Sequence, residues 1–169
     1  MMFLFTGVMF GQKSKLSKFA PENSTAAVMP GGNGYSKFQY ESVEIGAQFG
    51  LPLDVYDYAL GGDVKLNFSI GEEMLLTADL QYTNFSQKNG SDGSFLPIRL
   101  GAKHFFLDDF YGGAQLGSVI AFSGGEGAQL AYGLGAGVRV DEFDISINYD
   151  NFTGFTGSQL AFRFAYVIK

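Results

Sequence analysis

Between Tyr58 and Ile70 the chain reads YALGGDVKLNFSI, and its residues change character with a period of two. Leu60, Gly62, Val64, Leu66, Phe68 and Ile70 fall on one side, and Gly61, Asp63, Lys65, Asn67 and Ser69 on the other. This alternation predicts a β-strand with one apolar and one polar face. The same rhythm marks seven further segments. Val43, Ile45, Ala47, Phe49 and Leu51 precede it; Met74, Leu76, Ala78, Leu80 and Tyr82 follow, then Leu96, Ile98, Leu100, Ala102, His104 and Phe106. Phe110, Ala114, Leu116 and Ile120 form a fifth segment, interrupted by Gly112 and Ser118. Leu130 to Val140, Phe143 to Tyr149 and Leu160 to Ile168 complete the series. Eight strands in sequence without a helical interruption predict an all-β, eight-stranded antiparallel up-and-down barrel over residues 38–169.

The connections alternate in kind. Three are tight and acidic: Gly71-Glu72-Glu73, Leu107-Asp108-Asp109 and Asp141-Glu142. Four are longer and polar: Pro52 to Asp57, Ser86 to Ser94, Ser123 to Gly127, and Asn151 to Ser158. Short turns at one end and longer loops at the other are the pattern of a transmembrane β-barrel with its turns in the periplasm and its loops outside.

A soluble lipocalin-like carrier would show the same alternation with its apolar phase turned inward, so the faces decide the class. The polar phase contains Gly101, Gly113, Gly117, Ala131, Gly133, Gly135, Gly137 and Ala161. A soluble coat is expected to be rich in Lys and Glu instead. As a lining, small residues leave room for long side chains in a lumen just wide enough to be filled. The same phase carries Glu44, Asp63, Asp79, Asp144 and Asp150 against Lys65, Arg99, Lys103, Arg139 and Arg163. Equal numbers of acids and bases suit a buried interior, because an unpaired buried charge costs several kcal/mol. The apolar phase places Phe106, Phe110, Phe143, Phe164 and Tyr166 toward the turns, and Tyr82, Phe122 and Tyr149 toward the loops. Aromatic residues at two levels suit two membrane interfaces, so the apolar face is expected to meet lipid.

Composition narrows the chemistry further. The 169 residues suffice for one domain with a closed core, and 24 glycines, 18 phenylalanines and 17% charged residues suit a crowded β-structure. Without cysteine there is no disulfide or thiolate-metal chemistry, and a single histidine argues against a histidine metal centre. A net charge of −6 argues against nucleic acid as a partner. No run of eighteen apolar residues predicts a transmembrane helix. The first twelve residues, MMFLFTGVMFGQ, resemble the back half of a secretory signal peptide. Residues 13–37 lack periodicity and contain Pro21, Pro30 and Gly-Gly-Asn-Gly, which reads as a linker or loosely attached segment.

Five motifs carry a family resemblance: FLPIRLGAKHFF (95–106), FYGGAQLGS (110–118), LAYGLGAGVRV (130–140), FDISINYDNF (143–152) and LAFRFAYVIK (160–169). In order, they resemble the later strands of the small outer-membrane β-barrel domain family of Gram-negative bacteria. The resemblance runs from Val43 to the C-terminus and is strongest after Phe95. It implies residence in outer-membrane lipid and insertion by the barrel-assembly machinery, whose recognition signal would map onto Phe162, Phe164, Tyr166 and Ile168. It implies little about activity, since members are mostly structural or pore proteins.

Catalytic chemistry has little support in the sequence. A serine hydrolase needs Ser, His and an acid brought together. His104 shares a face with Ser118, but the strand pattern puts them near opposite ends. The paired acids of the turns lack the six or more gathered oxygens of a calcium site. No catalytic, metal or cofactor residues are therefore expected. The sequence favours a non-enzymatic outer-membrane barrel of structural or surface-interaction role. A narrow porin-like barrel passing small solutes or hydrophobic molecules is the first alternative, and the lipocalin-like carrier the second.

Overall fold

A computed structural model describes residues 38–87, 90–122, 127–154 and 157–169. The residues read as signal remnant (1–12) and linker (13–37) lie outside the described part. Eight strands follow one another: β1 (Phe38–Pro52), β2 (Tyr58–Ile70), β3 (Met74–Ser86), β4 (Gly93–Phe105), β5 (Phe110–Ala121), β6 (Ala128–Val140), β7 (Phe143–Phe152) and β8 (Gln159–Ile168). Each pairs antiparallel with its sequence neighbours, and β1 pairs with β8 to close the barrel.

The stagger of this closure can be followed residue by residue. Starting at Ser42, the paired positions are Asn67, Thr77, Gly101, Gln115, Gly133, Asp150 and Gln159, and the path returns to β1 at Pro52, ten residues further on. A stagger of this size over eight strands tilts them by about 40° and leaves an interior that side chains alone can fill.

One irregularity breaks the alternation. The register of β1 against β2 shifts between Tyr40 and Ser42, a β-bulge that makes Glu41 the additional residue. Both Glu41 and Ser42 are buried as a result, which regular alternation forbids. Strand β1 also starts at Phe38, ahead of the first apolar-phase residue the sequence marks.

The turn end is built economically. Gly71 takes a positive φ of 81° between β2 and β3, and Asp141 sits at φ 53° between β6 and β7, in the left-handed region that Asp tolerates better than most residues. At the loop end, the β1–β2 connection is tied to its neighbours. The Leu53 amide donates to the Ser158 carbonyl at 2.8 Å and the Asp57 amide to the Ser86 carbonyl at 2.9 Å. The Ser158 hydroxyl donates to Asp54 Oδ2 at 2.7 Å.

The barrel is inverted relative to a soluble protein. Its interior holds Glu44, Asp144, Asn67, Thr83 and Gln159, each with no exposed surface, whereas Leu100 on the outside is 70% exposed. On the outward phase predicted from the apolar alternation, Leu66, Leu80, Leu116, Leu134, Ile147 and Phe164 are exposed, and others such as Phe68, Leu96, Tyr132 and Leu160 are half-buried against their neighbours.

Candidate functional site

The polar interior is the most densely organised part of the molecule, and it divides into two tiers. The tier nearer the turns is centred on Glu44 of β1. Its Oε1 accepts from Lys103 Nζ (2.7 Å), Arg139 Nη2 (2.5 Å) and Asn67 Nδ2 (2.9 Å), and its Oε2 from Arg163 Nη1 (2.9 Å). Asp144 of β7 shares all three of these cations, at 2.9 Å from Lys103, 3.1 Å from Arg163 and 3.9 Å from Arg139, and accepts from the Tyr111 hydroxyl at 2.7 Å. Arg163 also grips Asp63 through Nη2 at 2.6 Å, and Arg139 reaches Glu41 at 2.9 Å.

The tier nearer the loops turns on Arg99 of β4. Its guanidinium reaches Asp79 on β3 at 2.8 Å and Asp150 on β7 at 2.5 Å, so the side chain crosses the lumen. Arg99 Nη2 also donates to Gln81 Oε1. Gln81 and Gln48 both donate to Thr83 Oγ1, at 2.6 and 2.9 Å, and Gln159 reaches Asp150 at 3.4 Å. Glycines make room for the side chains of both tiers. A Cβ at Gly133 would stand 2.7 Å from Asp150 Oδ1, and one at Gly137 would stand 2.5 Å from the Tyr111 hydroxyl.

All ten charged residues on the polar phase of the sequence line this interior. Nine of them join one tier or the other; Lys65 joins neither. It lies opposite Glu44 on one side and Asp79 on the other, yet among the described residues it makes no hydrogen bond or ion pair. Near it, Asn67 Oδ1, Thr77 Oγ1 and Asp79 Oδ1 are buried without hydrogen-bond partners among the described residues. Glu41 corrects the expected balance: brought inside by the bulge, it makes six acids against five bases. Strict alternation gives no signal for it, because a bulge is a break in that alternation.

Aromatic side chains close the interior at both ends. Phe85, Phe95 and Phe152 pack together toward the loops, with ring centroids 5.3 to 6.0 Å apart, over Ala59, Val119 and Ala131. Tyr56 of the β1–β2 loop covers them, 5.1 Å from Phe85. Leu75, Phe105 and Tyr111 form a smaller cluster toward the turns. These residues sit on the polar phase, so the interior is lined by large aromatic side chains as well as by the charged and small residues the alternation marks. The small neighbours Ala59, Ala131 and Gly93 supply the necessary room.

Outside, aromatic residues gather at two levels. Toward the turns, Phe38 stacks on Phe68 (5.0 Å) and Phe143 on Phe164 (5.3 Å); toward the loops, Tyr82 meets Phe122 (6.2 Å). On β3, outward positions from Met74 to Tyr82 span about 20 Å of height at the strand rise and tilt of such a barrel. Phe162, Phe164, Tyr166 and Ile168 all face outward on β8. His104 also faces outward and pairs with Gly112, whereas Ser118 pairs with Ile98, which separates the two by about 20 Å along the strand. Among the described residues, no three His, Asp or Glu side chains converge as metal ligands would.

No protein-family model and no curated protein sequence matches the chain. Solved structures do. The outer membrane protein Ail of Yersinia pestis, in a phospholipid bilayer nanodisc, superposes with a TM-score of 0.55 at 13% identity, over 75% of this chain and 99% of that one. A de novo designed transmembrane β-barrel gives 0.53 at 14% identity, over 75% and 95%. A second design, TMB2.3, gives 0.54 at 14%, over 77% and 96%. The chain therefore has the fold of an eight-stranded outer-membrane-type barrel.

Proposed function

We propose that the protein is a non-enzymatic integral outer-membrane barrel that is closed to solutes, with a role in envelope structure or in surface interaction through its outer loops. The exposed apolar phase supports the membrane location: its height of about 20 Å approaches the roughly 25 Å apolar band of such barrels, and aromatic residues flank it on both sides. The barrel would sit in outer-membrane lipid after insertion by the barrel-assembly machinery. The outward row Phe162, Phe164, Tyr166 and Ile168 would be accessible to that machinery before lipid covers it.

The observation that carries the closed state is the set of side chains lying across the lumen. Arg99 joins β4 to β3 and β7, Lys103 joins β4 to β1 and β7, and Arg139 joins β6 to β1. The rings of Phe85, Phe95 and Phe152 cover the loop end above them. Moving a solute through would break several buried ion pairs at once, each costing about 3–5 kcal/mol when one partner is left alone. Planar bilayers containing the purified full chain test this. No channel events across a range of salt are expected, and regular conductance steps would establish the transport alternative instead.

A further inference from the structure

The two tiers each lack one positive charge. Glu41, Glu44, Asp63 and Asp144 face Lys103, Arg139 and Arg163 in one, and Asp79 and Asp150 face Arg99 in the other. Lys65 is placed between them, is only 4% exposed, and pairs directly with neither. It lines a cavity of about 20 Å³ whose wall also includes Lys103 and Gly113, with Gln115, Asn148 and Asp150 across the lumen. Lys103 and Tyr111 belong to the tier near the turns and Asp150 to the tier near the loops, so the cavity touches both.

A water molecule needs about 10–15 Å³ of such space and two to four polar partners. The cavity, of about 20 Å³, is too small for an organic ligand, and Lys65, Lys103, Gln115, Asn148 and Asp150 bring polar groups to a wall otherwise made of small and apolar residues. A bare cation would face two ammonium groups, and an anion would enter a lumen that already carries six acids against five bases. Water alone can accept from an ammonium and donate to a carboxylate or amide oxygen in the same position. We propose that the cavity is a hydration site, where one water molecule accepts from Lys65 and donates to the Gln115, Asn148 or Asp150 side, joining the two ion-paired tiers into one network. Lys65 then supplies one of the two missing positive charges without a direct partner in either tier.

The test is a crystal structure of the full chain grown with bromide, at a resolution that shows ordered water. A peak within hydrogen-bonding distance of Lys65 Nζ, without anomalous signal, is expected. An anomalous bromide peak there would make it an anion site and overturn the proposal. An empty cavity, or Lys65 Nζ paired directly with Asp79 or Glu44, would overturn it too. Gly113→Ala adds a methyl group that meets the Ala102 carbonyl at 3.1 Å and Lys103 Cγ at 3.7 Å, and loss of the peak is expected. Should that variant not fold, Lys65→Met is expected to lose the same peak, and its persistence there would remove the assigned role of the amine.

Discussion

Arg163 on β8 and Asp63 on β2 are joined across an intervening strand, and Gly46 of β1 lies directly beneath the bridge. Arg163 Nε is 2.9 Å from Asp63 Oδ1, and Nη2 is 2.6 Å from Oδ2. A Cβ at Gly46 would stand 2.6 Å from that carboxylate and 2.9 Å from that guanidinium. Gly46→Ala is therefore expected to part the pair and destabilise the barrel by about 3–5 kcal/mol, the cost of breaking a buried ion pair. Gly62→Ala, pointing outward with its nearest neighbour the Gly46 carbonyl at 3.3 Å, is expected to cost about 1 kcal/mol or less. Urea unfolding from lipid vesicles, read by heat-modifiable gel mobility, compares the two; equal losses would mean that the bridge contributes nothing.

The outer surface makes a depth-dependent prediction. Leu134 lies midway along the outward phase of β6, whereas Leu53 lies beyond the end of β1. Leu134→Arg is expected to cost about 2–4 kcal/mol in bilayers and Leu53→Arg at most about 1 kcal/mol, because lipid penalises a cation most at its midplane. A water-soluble Leu134→Arg protein that folds without detergent would reverse the assignment of the faces.

The aromatic cap predicts a separation of stability from permeability. Phe85 and Phe152 are buried to within 1% of completeness, so Phe85→Ala or Phe152→Ala is expected to cost about 3–5 kcal/mol. Neither is expected to open a pore, since Arg99 still crosses the lumen beneath. Bilayer recordings of the two variants check this, and conductance in either would place the permeability barrier in the cap.

At the loop end, Asp54 accepts from both the backbone amide and the hydroxyl of Ser158, at 3.1 and 2.7 Å. These bonds hold its carboxyl below the ordinary aspartate value of 3.8. Because the folded value is depressed, the tie is fully present above pH 3.8 and is lost as pH falls through the lower folded value. The Ser158 amide shift in micelle NMR is expected to titrate below 3.8. A midpoint at or above it would show that the tie does not persist in solution.

Much of this arrangement was readable from alternation alone, because a period of two fixes which side chains share a face. Asp63, Arg99 and Arg163 sit on the polar phase of long unbroken strands, and their inward placement follows from that phase. The breadth of their contacts does not: Arg163 reaches β1, β2 and β7, and only the stagger of the closed barrel brings those carboxylates within its length. Glu41 was hidden by a local bulge. The aromatic cap was hidden by residue identity, since Phe85 and Phe152 lie on the polar phase while their chemistry suggests the opposite face. The isolation of Lys65 depends on side-chain reach, which alternation does not encode.

The closure of β8 on β1 also bears on how the chain assembles. Glu44, Asp63 and Arg163 lie near opposite ends of the sequence, and the full set meets only when the first and last strands pair. An open sheet would leave Arg163 without two of its carboxylates, so the reward for joining the edges is concentrated in the final step. A slip of one residue at that joint would turn the guanidinium toward lipid. The buried charges thus act as a proofreader of registration: an incorrectly zipped seam is penalised at the moment of zipping, before the barrel can settle.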